Sequence, residues 1–297
     1  MKTGISYILN RDLDRAAADL EEIAGGCDFV VHTFSETDLY FHQKNMREII
    51  KLSRQKGLAV YLDPWGVGGV FGGETFSRFV AENPAACLKV KGQRLAVADI
   101  AHPLFRKFMK KWLRAALALK PDVIFWDEPH QSGMNYSPAE INRVVGFIKE
   151  MAKIVSKRGV KNAVCVYPRA DKNSQKLWQA ILEIKEVDIF GTDPYWLLWG
   201  KKLDFVEKIS ERVYNLCETY HKEPQIWIQA FKVPAGREKE IGKAVKMAAA
   251  AGIQNIAAWS YDAGSLVDGL NSAQPDKVWQ TLRSAYLQAK RSGRGKK

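Results

Sequence analysis

The sequence predicts an α/β fold: a TIM-type (β/α)8 barrel of eight parallel strands, built as a single domain with a long insertion after strand three. Three observations carry this expectation. Eight short apolar, β-rich segments recur along the 297 residues. Each is continuously apolar rather than alternating, as expected of strands buried on both faces. Amphipathic stretches of helical length separate them, and strict strand–helix alternation closes a parallel sheet on itself.

Taken in order, the strand segments are 4–9, 28–33, 59–63, 123–127, 163–167, 189–193, 225–229 and 255–260. Helical stretches between them include 137–157, 204–221 and 237–251. Asp12, Ser137 and Ser174 are expected N-caps, and Gly57, Gly159 and Gly252 are expected helix stops. The third unit departs from the regular spacing, since an insertion separates Asp63 from Val123. It holds a glycine-rich run at 66–73, a helix near 76–81 and a hairpin around the KGQ turn at 91–93. No GK[ST] follows the glycines, so a mobile rim loop, with Glu74 as a polar contact, is expected rather than a phosphate loop. The barrel is expected to occupy residues 1–289, with a disordered basic tail at 290–297.

Composition narrows the function classes. The chain is 46% hydrophobic, enough for a full core, which excludes disorder and fibrous repeats. No apolar run approaches the roughly 20 residues of a membrane helix, and the N-terminus reads directly into a strand, so a cytoplasmic protein without a membrane partner is expected. Cys27, Cys87, Cys165 and Cys217 lie far apart with no CxxC pair, which argues against a zinc knuckle, an Fe–S site or a disulfide framework. No cofactor is expected. The net charge is +12, and five of the last eight residues are Lys or Arg. A basic tail plus solvated helix faces accounts for this charge better than a nucleic-acid surface does. Oligomeric state leaves no signal.

Barrel chemistry gathers where strands end and βα loops begin. Strand two ends in His32-Thr33, strand three in Asp63-Pro64-Trp65, and strand four in Trp126-Asp127-Glu128-Pro129-His130. Strand five ends in Tyr167, strand six in Asp193-Pro194-Tyr195-Trp196, strand seven in Gln229, and strand eight in Trp259-Ser260-Tyr261-Asp262. Aromatic faces stack on pyranose C–H surfaces, while carboxylates and amides hold hydroxyls, so this set suits a carbohydrate. Asp63, Trp65, His130, Tyr195, Trp196, Gln229, Trp259, Tyr261, Asp262 and His32 are the expected substrate contacts.

The strongest feature is FWDEPH, residues 125–130, where an apolar strand delivers two adjacent carboxylates and Pro129 turns the chain out. A carboxyl beside another carboxylate has its pKa raised, which suits Glu128 as general acid and Asp127 as its partner. In these residues the sequence resembles TIM-barrel glycoside hydrolases. Many carry a fourth-strand acid followed by proline, as in the Asn-Glu-Pro motif of the large retaining superfamily. The WDEP form is more similar to the Asp-Glu pair of the retaining N-acetylhexosaminidases. In the Asn-Glu-Pro superfamily the nucleophile is a glutamate ending strand seven; Gln229 stands there instead, which speaks against the two-glutamate mechanism.

Three ways to complete the chemistry stay open. The resemblance to hexosaminidases implies substrate assistance: a 2-acetamido group attacks the anomeric carbon, Asp127 orients it and Glu128 protonates the leaving oxygen. Alternatively, Asp193 or Asp63 supplies the second carboxylate. Third, Asp63, Asp127, Glu128, His130 and Asp193 assemble a metal site for hydrolysis or isomerisation. Outside enzymology, the alternative is a barrel that only binds sugar or a polyanion.

Overall fold

The computed structural model describes residues 1–8, 11–73, 76–129 and 136–294. The elements are β1 (Lys2–Tyr7), α1 (Leu13–Ala24), β2 (Phe29–Thr33), α2 (Glu36–Phe41), α3 (Gln43–Gln55), β3 (Ala59–Asp63), α4 (Arg78–Glu82), β4 (Cys87–Val90), β5 (Gln93–Ala98) and α5 (Pro103–Ala118). They continue with β6 (Val123–Asp127), α6 (Pro138–Ser156), β7 (Lys161–Val166), α7 (Lys172–Leu182), β8 (Ile189–Thr192), α8 (Asp204–Tyr220), β9 (Glu223–Gln229), α9 (Lys239–Ala250), β10 (Asn255–Trp259) and α10 (Pro275–Arg294). Eight strands close into a parallel barrel in the order β1-β10-β9-β8-β7-β6-β3-β2, while β4 and β5 pair antiparallel apart from it. Every barrel strand lies on a predicted segment, with ends shifted by two residues at most.

Local chemistry explains the helix starts. Asp12 accepts from the N–H groups of Asp14 and Arg15 at 3.0 and 3.1 Å, capping α1. Ser137 and Glu140 form a capping box at α6, with Pro138 in the first turn. At α7 the cap is Asp171 rather than the expected Ser174, because the carboxylate reaches two backbone donors and also holds the Ser174 hydroxyl at 2.7 Å. The β4–β5 turn puts both Lys91 and Gly92 at positive φ, the backbone of a two-residue type I′ hairpin loop. Residues 290–294, expected in a basic tail, belong to α10, which runs to Arg294, and Lys290 pairs with Asp28 at 2.7 Å. Among the described residues no helix is long and apolar enough to cross a membrane.

Residue contacts divide the chain into two compact units. One comprises Met1–His32, Arg47–Tyr61 and Phe190–Lys297. Its core includes the stacked rings of Phe29 and Tyr61, 4.5 Å between centroids. The other comprises Thr33–Met46 and Leu62–Ile189. Its core is an aromatic cluster in which Trp126 packs on Phe71, Phe147 and Trp112. The two indoles are hydrogen-bonded as well as buried: Trp112 donates to the carbonyl of Phe34 at 2.7 Å and Trp126 to Asn162 Oδ1 at 3.0 Å.

The insertion belongs to this second unit, where several of its residues are anchored. Val67 is buried, and Phe71 is buried in the aromatic cluster. Beneath it, the buried Glu36 accepts from Gly68 N at 2.9 Å, Ser77 Oγ at 2.6 Å and Phe79 N at 2.9 Å. A carboxylate with three donors is satisfied without water, so one side chain of α2 ties the glycine run at Gly68 to the start of α4 at Ser77 and Phe79.

Candidate active site

In the second unit, β3 and β6 deliver the acids. Trp126 points into the helix layer against Phe147 of α6, so strand alternation turns Asp127 to the opposite face. Asp63 ends β3 and is only 3% exposed. Its Oδ1 is buried without a hydrogen-bond partner. Burial first, and then the charge of Asp127, push the Asp63 carboxyl well above the usual aspartate range. Burial likewise pushes Asp127 up to about 7, with a hydrogen bond from the Cys165 thiol acting in the opposite direction. Asp63 is buried and Asp127 part-exposed, and each carboxyl holds its proton more tightly than a free aspartate does.

Glu128 follows directly, part-exposed, with its backbone at φ +42°. Left-handed backbone costs a non-glycine residue about 1–2 kcal/mol, and such outliers gather at functional sites. The conformation is held by the sheet, since Glu128 N donates to the carbonyl of Cys165 on β7 at 3.0 Å. The buried Pro129 follows. His130 and Glu74 lie outside the described residues.

The glycine run packs on Asp127 and Trp65. A β-carbon on Gly72 would overlap Asp127 Oδ2, and one on Gly73 would meet the Trp65 indole at 2.5 Å. Trp65 is buried beneath that backbone rather than displayed as a platform. Among the described residues, no group of three or more His, Cys, Asp or Glu side chains is placed to hold a metal ion.

The first unit carries the other predicted positions. Asp193, just past β8, is buried, and its carbonyl accepts from Tyr195 N at 2.6 Å. Tyr195 and Trp259 are part-exposed and meet the two sides of Phe231 edge-on, at 5.0 and 4.8 Å. Three expected substrate contacts are committed to the framework instead. Trp196 is fully buried and donates to Glu240 at 2.7 Å. The Gln229 amide accepts from Leu197 N and Leu198 N and donates to the Phe231 carbonyl at 2.9 Å, bracing two loops. His32 faces α3, with its Nε2 2.8 Å from Ser53 Oγ, and burial lowers its pKa to about 3, so it is neutral. Asp262 accepts from Ser260, Gly264 and Leu266, capping its own loop. Tyr261 donates to Glu22 at 2.7 Å and, with Asp262, Asp19 and Trp279, lines a cavity of about 310 Å³.

Sequence reasoning passed over Cys165, Glu36, Gly72 and Phe231. Only the glycine had a visible signal, and it read as flexibility.

No family model matches the sequence, and no curated protein matches it. Solved structures do. The chain is similar to the GH5_18 protein of Streptomyces cattleya in complex with GlcNAc, with TM-score 0.70 and 13% identity over 100% of this chain and 81% of the other. It is similar to the endo-1,4-β-mannanase of Rhizomucor miehei, with TM-score 0.72 and 12% identity over 98% and 95% of the two chains. A D-psicose 3-epimerase in the presence of D-fructose matches at TM-score 0.55 and 12% identity, covering 98% of each chain. The likeness establishes the TIM-barrel fold.

Proposed function

We propose that the chain is a glycoside hydrolase, with its acid chemistry at the ends of β3 and β6. The observation that supports this reading is the pair Asp63–Asp127, both with raised proton affinity, beside the strained Glu128. Glu128 protonates the glycosidic oxygen as the bond to the anomeric carbon breaks. Asp127 stabilises the positive charge that develops at that carbon. Gln229 is no nucleophile, which favours a sugar that brings its own. The carbonyl oxygen of a 2-acetamido group forms the new bond to the anomeric carbon, and the electron pair of the old bond leaves on the oxygen that Glu128 protonates. Water then opens the cyclic intermediate, giving its proton to Glu128.

The test is a panel of aryl α- and β-glycosides, with and without a 2-acetamido group, incubated with the full chain and with Glu128→Gln. Cleavage confined to 2-acetamido sugars, reduced about 10²–10⁴-fold by the substitution, is the expected result. Cleavage at an unchanged rate removes Glu128 from the mechanism. No cleavage of any glycoside overturns the enzymatic reading.

A further inference from the structure

We propose that Cys165 positions the acidic doublet, gripping Asp127 through its thiol and Glu128 through its backbone carbonyl, and thereby sets the charge that Asp127 presents to the substrate. The inference concerns a residue outside the carboxylates and, for its kinetic part, rests on the glycosidase reading above.

Cys165 lies on β7 opposite Asp127 in the parallel register, so the two side chains emerge on the same face of neighbouring strands. The residue is 1% exposed. Its thiol donates to the Asp127 carboxylate, and its carbonyl accepts from Glu128 N at 3.0 Å. One residue therefore contacts both members of the doublet, one through the side chain and one through the main chain. The flanking strand positions are Val164 and Val166. A third valine would suit the apolar run but would offer Asp127 no donor. A thiol is small and weakly polar, able to sit in an apolar strand and still supply one weak hydrogen bond.

The groups around Asp127 make that bond consequential. Asp63 faces it from β3, Glu128 adjoins it on its own strand end, and Gly72 brings backbone without a side chain. Of these neighbours, Cys165 offers the donor that favours the ionised form. Removing the donor should leave the burial and raise the pH at which Asp127 ionises.

The test uses the full chain labelled with ¹³C at aspartate carboxyls. Asp127 is titrated by NMR in the parent chain and in Cys165→Ser, Cys165→Ala and Cys165→Val, with Asp127→Asn to assign the signal. The Ala and Val variants should move the midpoint upward by about half to one pH unit, the size expected for loss of a single modest hydrogen bond. Cys165→Ser, which keeps a donor, should stay at or below the parent midpoint. If Ala opens a cavity and fails to fold, Val fills the site and carries the measurement. Unmoved midpoints in the variants overturn the proposal. In parallel, the acidic limb of kcat/KM should follow the NMR midpoint, with KM little changed. A midpoint that moves without a matching kinetic limb leaves the grip intact and counts against the glycosidase reading instead.

Discussion

The backbone of Gly72 rests on the carboxylate of Asp127 with no room for a β-carbon between them. One residue comes from the insertion after β3 and the other from the end of β6, so the loop and the acid are built to a common fit. Phe71, buried against Trp126 and Phe147, holds the loop at that height. The same packing that partly desolvates Asp127 raises its affinity for a proton.

Gly72→Ala tests this fit. The position has φ +71°, and the added methyl meets the carboxylate, so both strain and collision act. A loss of about 1–2 kcal/mol in stability is expected from the backbone term. Displacement of Asp127 should lower kcat/KM at least about tenfold. Thermal unfolding beside steady-state kinetics checks both, and parent-like values in both would contradict the fit.

Asp127→Asn should stabilise the protein at alkaline pH. The folded value of about 7 lies above the ordinary 3.8, so the folded state holds the proton more tightly. The stability this contributes is full below about pH 4 and is lost as pH rises through 7. Asparagine stays neutral throughout. The variant's advantage over the parent should thus be absent near pH 4 and reach on the order of 2 kcal/mol by pH 8, after discounting for partial exposure. Urea unfolding at pH 4, 6 and 8 measures it, and a pH-independent difference would rule out the buried-pair account.

Glu36→Ala removes the acceptor for three donors, two of them backbone N–H groups of the insertion. Leaving them buried and unpaired is expected to cost about 2–4 kcal/mol. Limited proteolysis should then cut first within the insertion. Cleavage elsewhere, with the insertion still protected, would show that Glu36 does not anchor it.

Gln229→Glu places a carboxylate where retaining barrels carry their nucleophile, yet no gain in hydrolysis is expected. The amide Nε2 donates to the Phe231 carbonyl at 2.9 Å, and a carboxylate oxygen there would face another acceptor. A stability loss of about 1–3 kcal/mol is expected in denaturant titration. A stable, faster variant would restore the two-glutamate mechanism.

Much of the site was legible because strand ends are legible. Asp63 and Asp127 close β3 and β6 at the residues where the apolar runs of the sequence stop. The individual roles were less so. His32 lies on a strand buried on both faces, and its orientation toward Ser53 is invisible in a segment without polar alternation. Trp196 and Gln229 were expected substrate contacts, but their partners, Glu240 and the backbone at 197, 198 and 231, lie far off in sequence or in irregular loops.

The sequence by itself determined the alternation of eight buried strands with amphipathic helices, because periodicity and apolar runs are properties of neighbouring residues. It also determined that acids and aromatics crowd the strand ends. The tertiary structure alone decided which of those side chains carry a proton, which brace loops and which remain accessible. Desolvation, hydrogen-bond satisfaction and like-charge repulsion are set by atoms that the chain brings together from distant positions, as with Asp63, Gly72, Asp127 and Cys165.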